Sequence, residues 1–406
     1  MTKNNENRPG YKKTKVGWIP EEWKIRKIQE MAYFDKNSLP SNTPDDFKFN
    51  YITLGDLEKG KLSESLSVET FVNAPSRARR IVNDDDVLLA TVRPNLQGFG
   101  IIHKSDNFIA STGFAVLTMK NDSDAEFTYQ YLYSEHIQKQ LFALLVGSNY
   151  PAINSSDVKK LKLLFPPLAE QKKIAEILST WDSAIEKTEK LIEKCELRKK
   201  GLLNQLVVNS DQLSWNSVQI GRVAKEISVK NKDCSNCIVL SCTKHQGLVS
   251  SLEYFGRQIY SKDLSTYKIV SKGQFAYATN HIEEGSIGYQ NLHEKALISP
   301  MYTVFETNGY IDDSYLYELL KSDSYVQIYR SRISASVDRR GSLRWKEFSQ
   351  IKIPLPSIEE QKKIAIILDT ADKEISRLKS NLEALKVQKK GLMQKLLTGE
   401  VRVTTD

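Results

Sequence analysis

Ten residues, "AEQKKIAEIL" at 169–178, return almost unchanged as "EEQKKIAIIL" at 359–368. The register never slips: 361 − 171 for the glutamines and 391 − 201 for the glycines both give 190. "KKGLLNQLV" (199–207) therefore pairs with "KKGLMQKLL" (389–397), and Pro166 and Pro356 close matching aliphatic runs ahead of each copy. Elsewhere the likeness fades to pattern. "EEWKIRKI" near Trp23 matches "LSWNSVQI" near Trp215, and "DVLLATVRPNLQGFG" (86–100) matches "QFAYATNHIEEGSIG" (274–288). "STGFAVL" from Ser111 parallels "SPMYTVF" from Ser299. The chain is two copies of one plan, each a variable globular segment followed by a near-constant one.

The constant segments read as coiled-coil helices. Ile174, Leu178, Trp181, Ile185, Ile192, Cys195, Leu202 and Leu206 alternate at spacings of four and three once Thr188 and Lys199 are included. The second copy offers Ile364, Leu368, Ala371, Ile375, Leu378, Leu382, Leu385, Lys389, Leu392 and Leu396. This is a heptad stripe with one lysine at the same seam position in each copy. Ser357 and Glu360 have capping-box spacing, and Gly399 is a natural stop. Gly201 and Gly391 lie mid-helix, at about 1 kcal/mol against alanine. A close backbone approach or inheritance from a duplicated ancestor accounts for them equally well.

Each stripe implies a helix of roughly 50 Å. A compact globular segment of about 145 residues has a radius of gyration near 15 Å and bridges that length poorly. The second helix should therefore start near the end of the first and run back antiparallel, putting the related domains at opposite ends of a rod. The expected fold is α+β: two globular domains joined by two long antiparallel coiled-coil helices, with an internal pseudo-twofold repeat. The boundaries are a flexible tail (1–17), a first domain (18–165), helix one (166–208), a second domain (209–355), helix two (356–400) and a tail (401–406).

Composition narrows the class. No run approaches the ~18 apolar residues of a membrane span, and the polar N-terminus lacks a secretory signal, so the expected location is cytoplasmic. Four cysteines in 406 residues make no disulfide framework. A formal charge of +8 permits a polyanionic partner without requiring one.

Catalytic motifs are sparse. There is no phosphate loop, and "GFG" at 98–100 is too short for a dinucleotide fingerprint. "SNYP" (148–151) has no counterpart in the second copy, where "DRRG" (338–341) stands. Cys234, Cys237, Cys242 and His245 resemble a zinc spacing, but an extended "CIVLSC" strand would hold Cys237 and Cys242 about 16 Å apart, too far for one tetrahedral ion. No metal is expected. DNA contacts have better candidates, because arginine, asparagine and glutamine pair bidentately with guanine and adenine edges. These are Arg77, Arg79 and Arg80 in "SRARR"; Arg93, Asn95 and Gln97 in "RPNLQ"; Asn149; Asn280 and His281 in the matching "NHIEE"; and Arg330, Arg332, Arg339, Arg340 and Arg344 ahead of helix two. The bland alternative for any one of them is a solvated surface charge.

The order of segments, closed by "PPLAEQKKIAEIL" and "LPSIEEQKKIAIIL", resembles the DNA specificity subunit of a Type I restriction-modification enzyme from about Trp18 to Val401. The resemblance implies two target-recognition domains, each reading half of a split double-stranded DNA target, with the coiled coil setting the gap. It implies a non-catalytic chain that binds two methyltransferase subunits and, through them, restriction subunits. S-adenosylmethionine, ATP and Mg²⁺ would belong to those partners. The rival reading is a coiled-coil interaction protein with two ligand-binding heads and no DNA role. A cryptic methyltransferase or nuclease is a further alternative.

Overall fold

The computed structural model describes residues 6–145, 151–208, 215–232, 237–334 and 342–405. It divides into two compact units, Met1–Glu189 with Asn381–Asp406, and Lys190–Ser380. The division falls within the long helices, Leu168–Leu203 and Ile358–Leu397, so each unit owns part of both.

In unit 1 the strand Asp86–Ala90 is buried along its whole length. It is central to an antiparallel sheet in the order Phe99–Ile102, Asp86–Ala90, Phe114–Met119, Ala32–Phe34. A second sheet orders Ser67–Thr70, Lys48–Ile52, Phe108–Ser111 and Ala78–Val82, with one parallel pairing. The helices Ala125–Leu132 and Glu135–Leu144 bury Phe127, Tyr131, Ile137 and Leu141 in a core shared with Ile174 and Leu178 of the first long helix. Unit 2 repeats the plan, with a sheet ordered Ala224–Ile227, Tyr302–Thr307, Phe275–Ala278, Ile287–Tyr289, and helices Asp313–Lys321 and Asp323–Ser334.

The repeated glutamine fastens each globular part to its long helix. Buried Gln171 accepts from the Asp124 N–H (3.0 Å) and donates to the Pro166 carbonyl (2.9 Å). Gln361 accepts from the Asp312 N–H (2.7 Å) and donates to the Pro356 carbonyl (2.9 Å). Asp124 and Asp312 are themselves N-caps, each accepting from the N–H three residues on. The "EQKK" motif is thus kept twice for a structural bond.

The helices pair antiparallel within each unit. Unit 1 joins Asp182 to Lys389 (2.5 Å) and Glu189 to Lys386 (3.1 Å); unit 2 joins Glu196 to Lys379 (2.7 Å) and Asp372 to Lys199 (2.5 Å). The two seam lysines therefore meet equivalent aspartates of the opposite helix. Lys199 also touches Glu318 (2.7 Å). Burial works against its ammonium, yet the two carboxylates outweigh that and raise its pKa. Along the seam Ile174, Leu178, Ile192, Ile364, Leu368, Ile375, Leu382 and Leu396 are buried. Trp181, Ile185, Leu202, Leu206, Leu378, Leu385 and Leu392 are half-buried.

Three expectations need correction. Part of the expected N-terminal tail is built into the fold: Tyr11–Thr14 pairs with Gly17–Pro20, and the Tyr11 hydroxyl donates to the Gly399 carbonyl (2.6 Å). At the other end Arg402 grips buried Glu170 through Nε (2.6 Å) and Nη2 (2.9 Å), and Trp23 donates to the same carboxylate (2.8 Å). The contacts that hold both ends come from residues more than 200 positions away, so local polarity misleads. The third correction concerns Gly201 and Gly391. A Cβ on either would meet nothing within 4 Å, which removes the close-approach explanation.

Candidate nucleic-acid interface

In unit 1, the buried strand Asp86–Ala90 runs into Thr91, whose N–H donates to the Gly113 carbonyl (2.8 Å). A tight turn follows, with a single 3-10 turn Pro94–Leu96 between Arg93 and Gln97. Both flanking residues are left-handed, φ 50° and 58°. For a side chain other than glycine that conformation costs about 1–2 kcal/mol, a strain that clusters where a residue is needed for function. The Arg93 N–H donates to the Pro151 carbonyl (2.7 Å), and the Ala90 N–H to the Gly98 carbonyl (3.0 Å), fixing the turn at both ends. Pro94 is buried beneath it, leaving Arg93, Asn95 and Leu96 exposed.

These residues rim a groove of about 720 Å³. Leu54, Leu57, Ala90 and Val92 form apolar walls; Arg77, Arg93, Asn95, Gln97 and Lys59 supply polar ends. Four of the candidates thus converge, three from "RPNLQ" and Arg77 from "SRARR". Lys59, Leu54 and Leu57 were not singled out from sequence. Leu57 and Lys59 arrive on the small hairpin Leu57–Glu58/Lys61–Leu62, whose only local signal is Gly60 between the strands, and Leu54 lies just ahead of it.

Arg79 and Arg80 do not join them. Both lie within the strand Ala78–Val82 rather than ahead of it. Arg79 stacks on Phe71, 4.9 Å from the ring centroid, and Arg80 pairs with Asp35 at 2.7 Å with its side chain 14% exposed. They brace the sheet edge. Asn149 lies outside the described residues.

Unit 2 carries the same turn at an offset of 188. The Ala278 N–H donates to the Ser286 carbonyl (3.1 Å) as Ala90 does to Gly98, and Gly285, φ 89°, stands where Gln97 does. His281 corresponds to Arg93 and Glu283 to Asn95, one residue later than a match of "RPNLQ" to "NHIEE" implies. His281 and Glu284 are exposed, with Nδ1 to Oε1 at 3.6 Å, while Asn280 is half-buried. One turn is basic and amide-rich; the other is acidic. Arg330 donates through Nε to the Glu283 carbonyl (3.0 Å), which brings it to this turn. Exposed Arg344 precedes the short helix Trp345–Phe348, and neighbouring Leu343 donates its N–H to the Thr279 carbonyl (2.8 Å). Arg332 donates to the Glu347 carbonyl (3.3 Å) on that helix. Arg339 and Arg340 lie outside the described residues.

Of the cysteines at zinc-like spacing, Cys237 is disulfide-bonded and is no thiolate ligand. The Cys242 thiol donates to the Ala276 carbonyl (3.6 Å), and burial pushes it up to about 12. Cys234 is outside the described residues.

Among the described residues no helix is long and apolar enough to cross a membrane. The Type I restriction modification DNA specificity domain matches residues 20–197 and again 223–386. The chain is 26% identical over 418 residues to the Type I restriction enzyme MjaVIII specificity subunit of Methanocaldococcus jannaschii, covering 95% of this chain and 94% of that one. The fold resembles the crystal structure of the Type-I restriction-modification system S subunit from M. genitalium, with TM-score 0.60 and 18% identity over the whole of both chains. It also resembles a chain from a structural study of complex assembly and conformational transition of the type I R-M system, with TM-score 0.58, 19% identity, and 94% and 99% of the two chains covered. With both halves matched over most of its length, the chain belongs to the type I restriction-modification DNA specificity family.

Proposed function

We propose that this chain reads a split, asymmetric double-stranded DNA target, one half through each unit. The observation that carries this reading is one turn built twice on the same hydrogen-bond frame with different side chains. Arginine, asparagine and glutamine rim the first turn and suit purine edges; glutamates and a histidine on the second suit other base edges, glutamate accepting from cytosine. The antiparallel helices set the gap between half-sites. The chain itself is non-catalytic and works in the cytoplasm. It scaffolds two methyltransferase subunits and, through them, restriction subunits, and those partners hold S-adenosylmethionine, ATP and Mg²⁺. Lys172, Lys173, Lys362 and Lys363, exposed and shared by both helix copies, favour docking of the same partner twice.

Duplex binding by the purified chain, measured against salt, tests the DNA reading. Phosphate contacts release counterions, so affinity should fall steeply and linearly on logarithmic axes, about 0.9 per phosphate neutralised. Absence of duplex binding at low salt would instead favour an interaction protein with two ligand-binding heads. Mass measurement of the assembly tests the scaffold: two methyltransferases per chain are expected, and a stable complex with only one contradicts twofold docking.

A further inference from the structure

Lys321, the last residue of the helix Asp313–Lys321, places its ammonium among three backbone carbonyls: Gly285 (2.7 Å), Lys244 (2.7 Å) and Thr243 (3.2 Å). An ammonium has three donors and no acceptor, so this cradle uses all of them. The acceptors belong to two different turns. Thr243 and Lys244 open the turn of the hairpin Leu240–Thr243/Gly247–Ser250, and Gly285 closes the His281–Gly285 turn. One side chain therefore ties the exit of that turn to a neighbouring hairpin.

Unit 1 solves the same problem differently. The offset of 188 that equates the N-caps Asp124 and Asp312 puts Tyr133 in the place of Lys321. The Tyr133 hydroxyl donates to the Phe99 carbonyl (2.8 Å), two residues beyond Gln97, and its ring meets Phe99 edge-on at 5.5 Å. One helical turn earlier, Tyr129 and Tyr317 also correspond. Their hydroxyls cover the hairpin glycines so closely that a Cβ on Gly60 or Gly247 would lie 2.0 or 2.6 Å away. Each helix thus holds hairpin and turn in register, by a phenol in one unit and an ammonium in the other.

We propose that Lys321 is a positioning residue for the recognition turn of unit 2, and that Tyr133 has that task in unit 1. The proposal rests on the reading that these turns contact DNA. The two anchors differ in their response to pH. Burial lowers Lys321 to about 8, opposed by Glu318 on its own helix. Burial raises Tyr133 far above the ordinary tyrosine value, so it stays protonated. Cys242 and Tyr317, both raised by burial, are neutral over the same range; Lys244, His245, His281, Glu283 and Glu284 are the remaining titratable groups of the two turns. Above about pH 8 the amine keeps two donors, and one of the three carbonyls loses its partner.

The experiment selects bound duplexes from a randomised pool with the full chain, as wild type, Lys321→Met and Tyr133→Phe. Amide hydrogen exchange of residues 279–286 is measured in parallel. Lys321→Met should blur one half of the selected target by about tenfold and leave the other intact, and Tyr133→Phe should blur the opposite half. Between pH 7 and 9 the wild-type discrimination in the Lys321-dependent half should decline towards the Lys321→Met level. Exchange of 279–286 should accelerate about tenfold in Lys321→Met. Unchanged exchange overturns the anchor whatever the DNA result. A level wild-type pH profile assigns any defect to lost packing and overturns the ammonium's role. Faster exchange with no wild-type consensus sequence would overturn the DNA reading, and with it the role in recognition, while leaving the physical anchor in place.

Discussion

At Arg93 the backbone adopts a conformation suited to glycine, and the side chain it carries is the one best able to grip guanine. Arg93→Gly relieves the left-handed strain, so stability should not fall, although glycine ordinarily costs about 0.5–1 kcal/mol. Discrimination in one half-target should drop at least about tenfold, the worth of a lost bidentate base contact. Thermal unfolding beside competitive binding checks both parts. Gly60 shows the opposite economy: its φ of 85° and the Tyr129 hydroxyl overhead exclude any Cβ. Gly60→Ala should destabilise by about 1–3 kcal/mol, and adding Tyr129→Phe should recover part of that. Arg93, Asn95 and Gln97 were singled out by residue type alone, and the fold brings them to one turn. Residue type misplaced Arg80, because the Asp35 that neutralises it lies 45 positions away and leaves no local trace.

Among the elements, the long helices were the most legible part of the chain, since heptads and the Ser357/Glu360 capping box are local signals. The box forms as read, with the Ser357 hydroxyl donating to Glu360 (2.8 Å) and the Glu360 N–H to Ser357 (3.3 Å). Less legible was why "EQKK" is repeated, because the partners of its glutamine are a proline carbonyl and a distant N-cap. Gln361→Glu keeps the shape but removes the N–H that serves Pro356 and buries a charge. It should cost about 2–4 kcal/mol in denaturant unfolding. Lys389→Met should by contrast change stability by less than about 1 kcal/mol, because the Asp182 it leaves behind is 43% exposed and stays hydrated. Equal losses from the two substitutions would refute this ranking of the bonds.

For the whole molecule, duplication is the controlling fact. Two units share sheet order, helix fastening and turn frame, while the turn chemistry is basic in one and acidic in the other. Doubling was legible because the helices kept their residues; the convergence on each turn was not, because it depends on hairpins and helix ends distant in sequence. The central claim is that each unit reads its own half-target independently. It is tested most directly by replacing residues 18–164 with the corresponding segment of a relative of different specificity, then mapping methylated bases in cells that also express the methyltransferase. The account predicts that one half of the target changes while the other half and the gap persist. A change in both halves would contradict it.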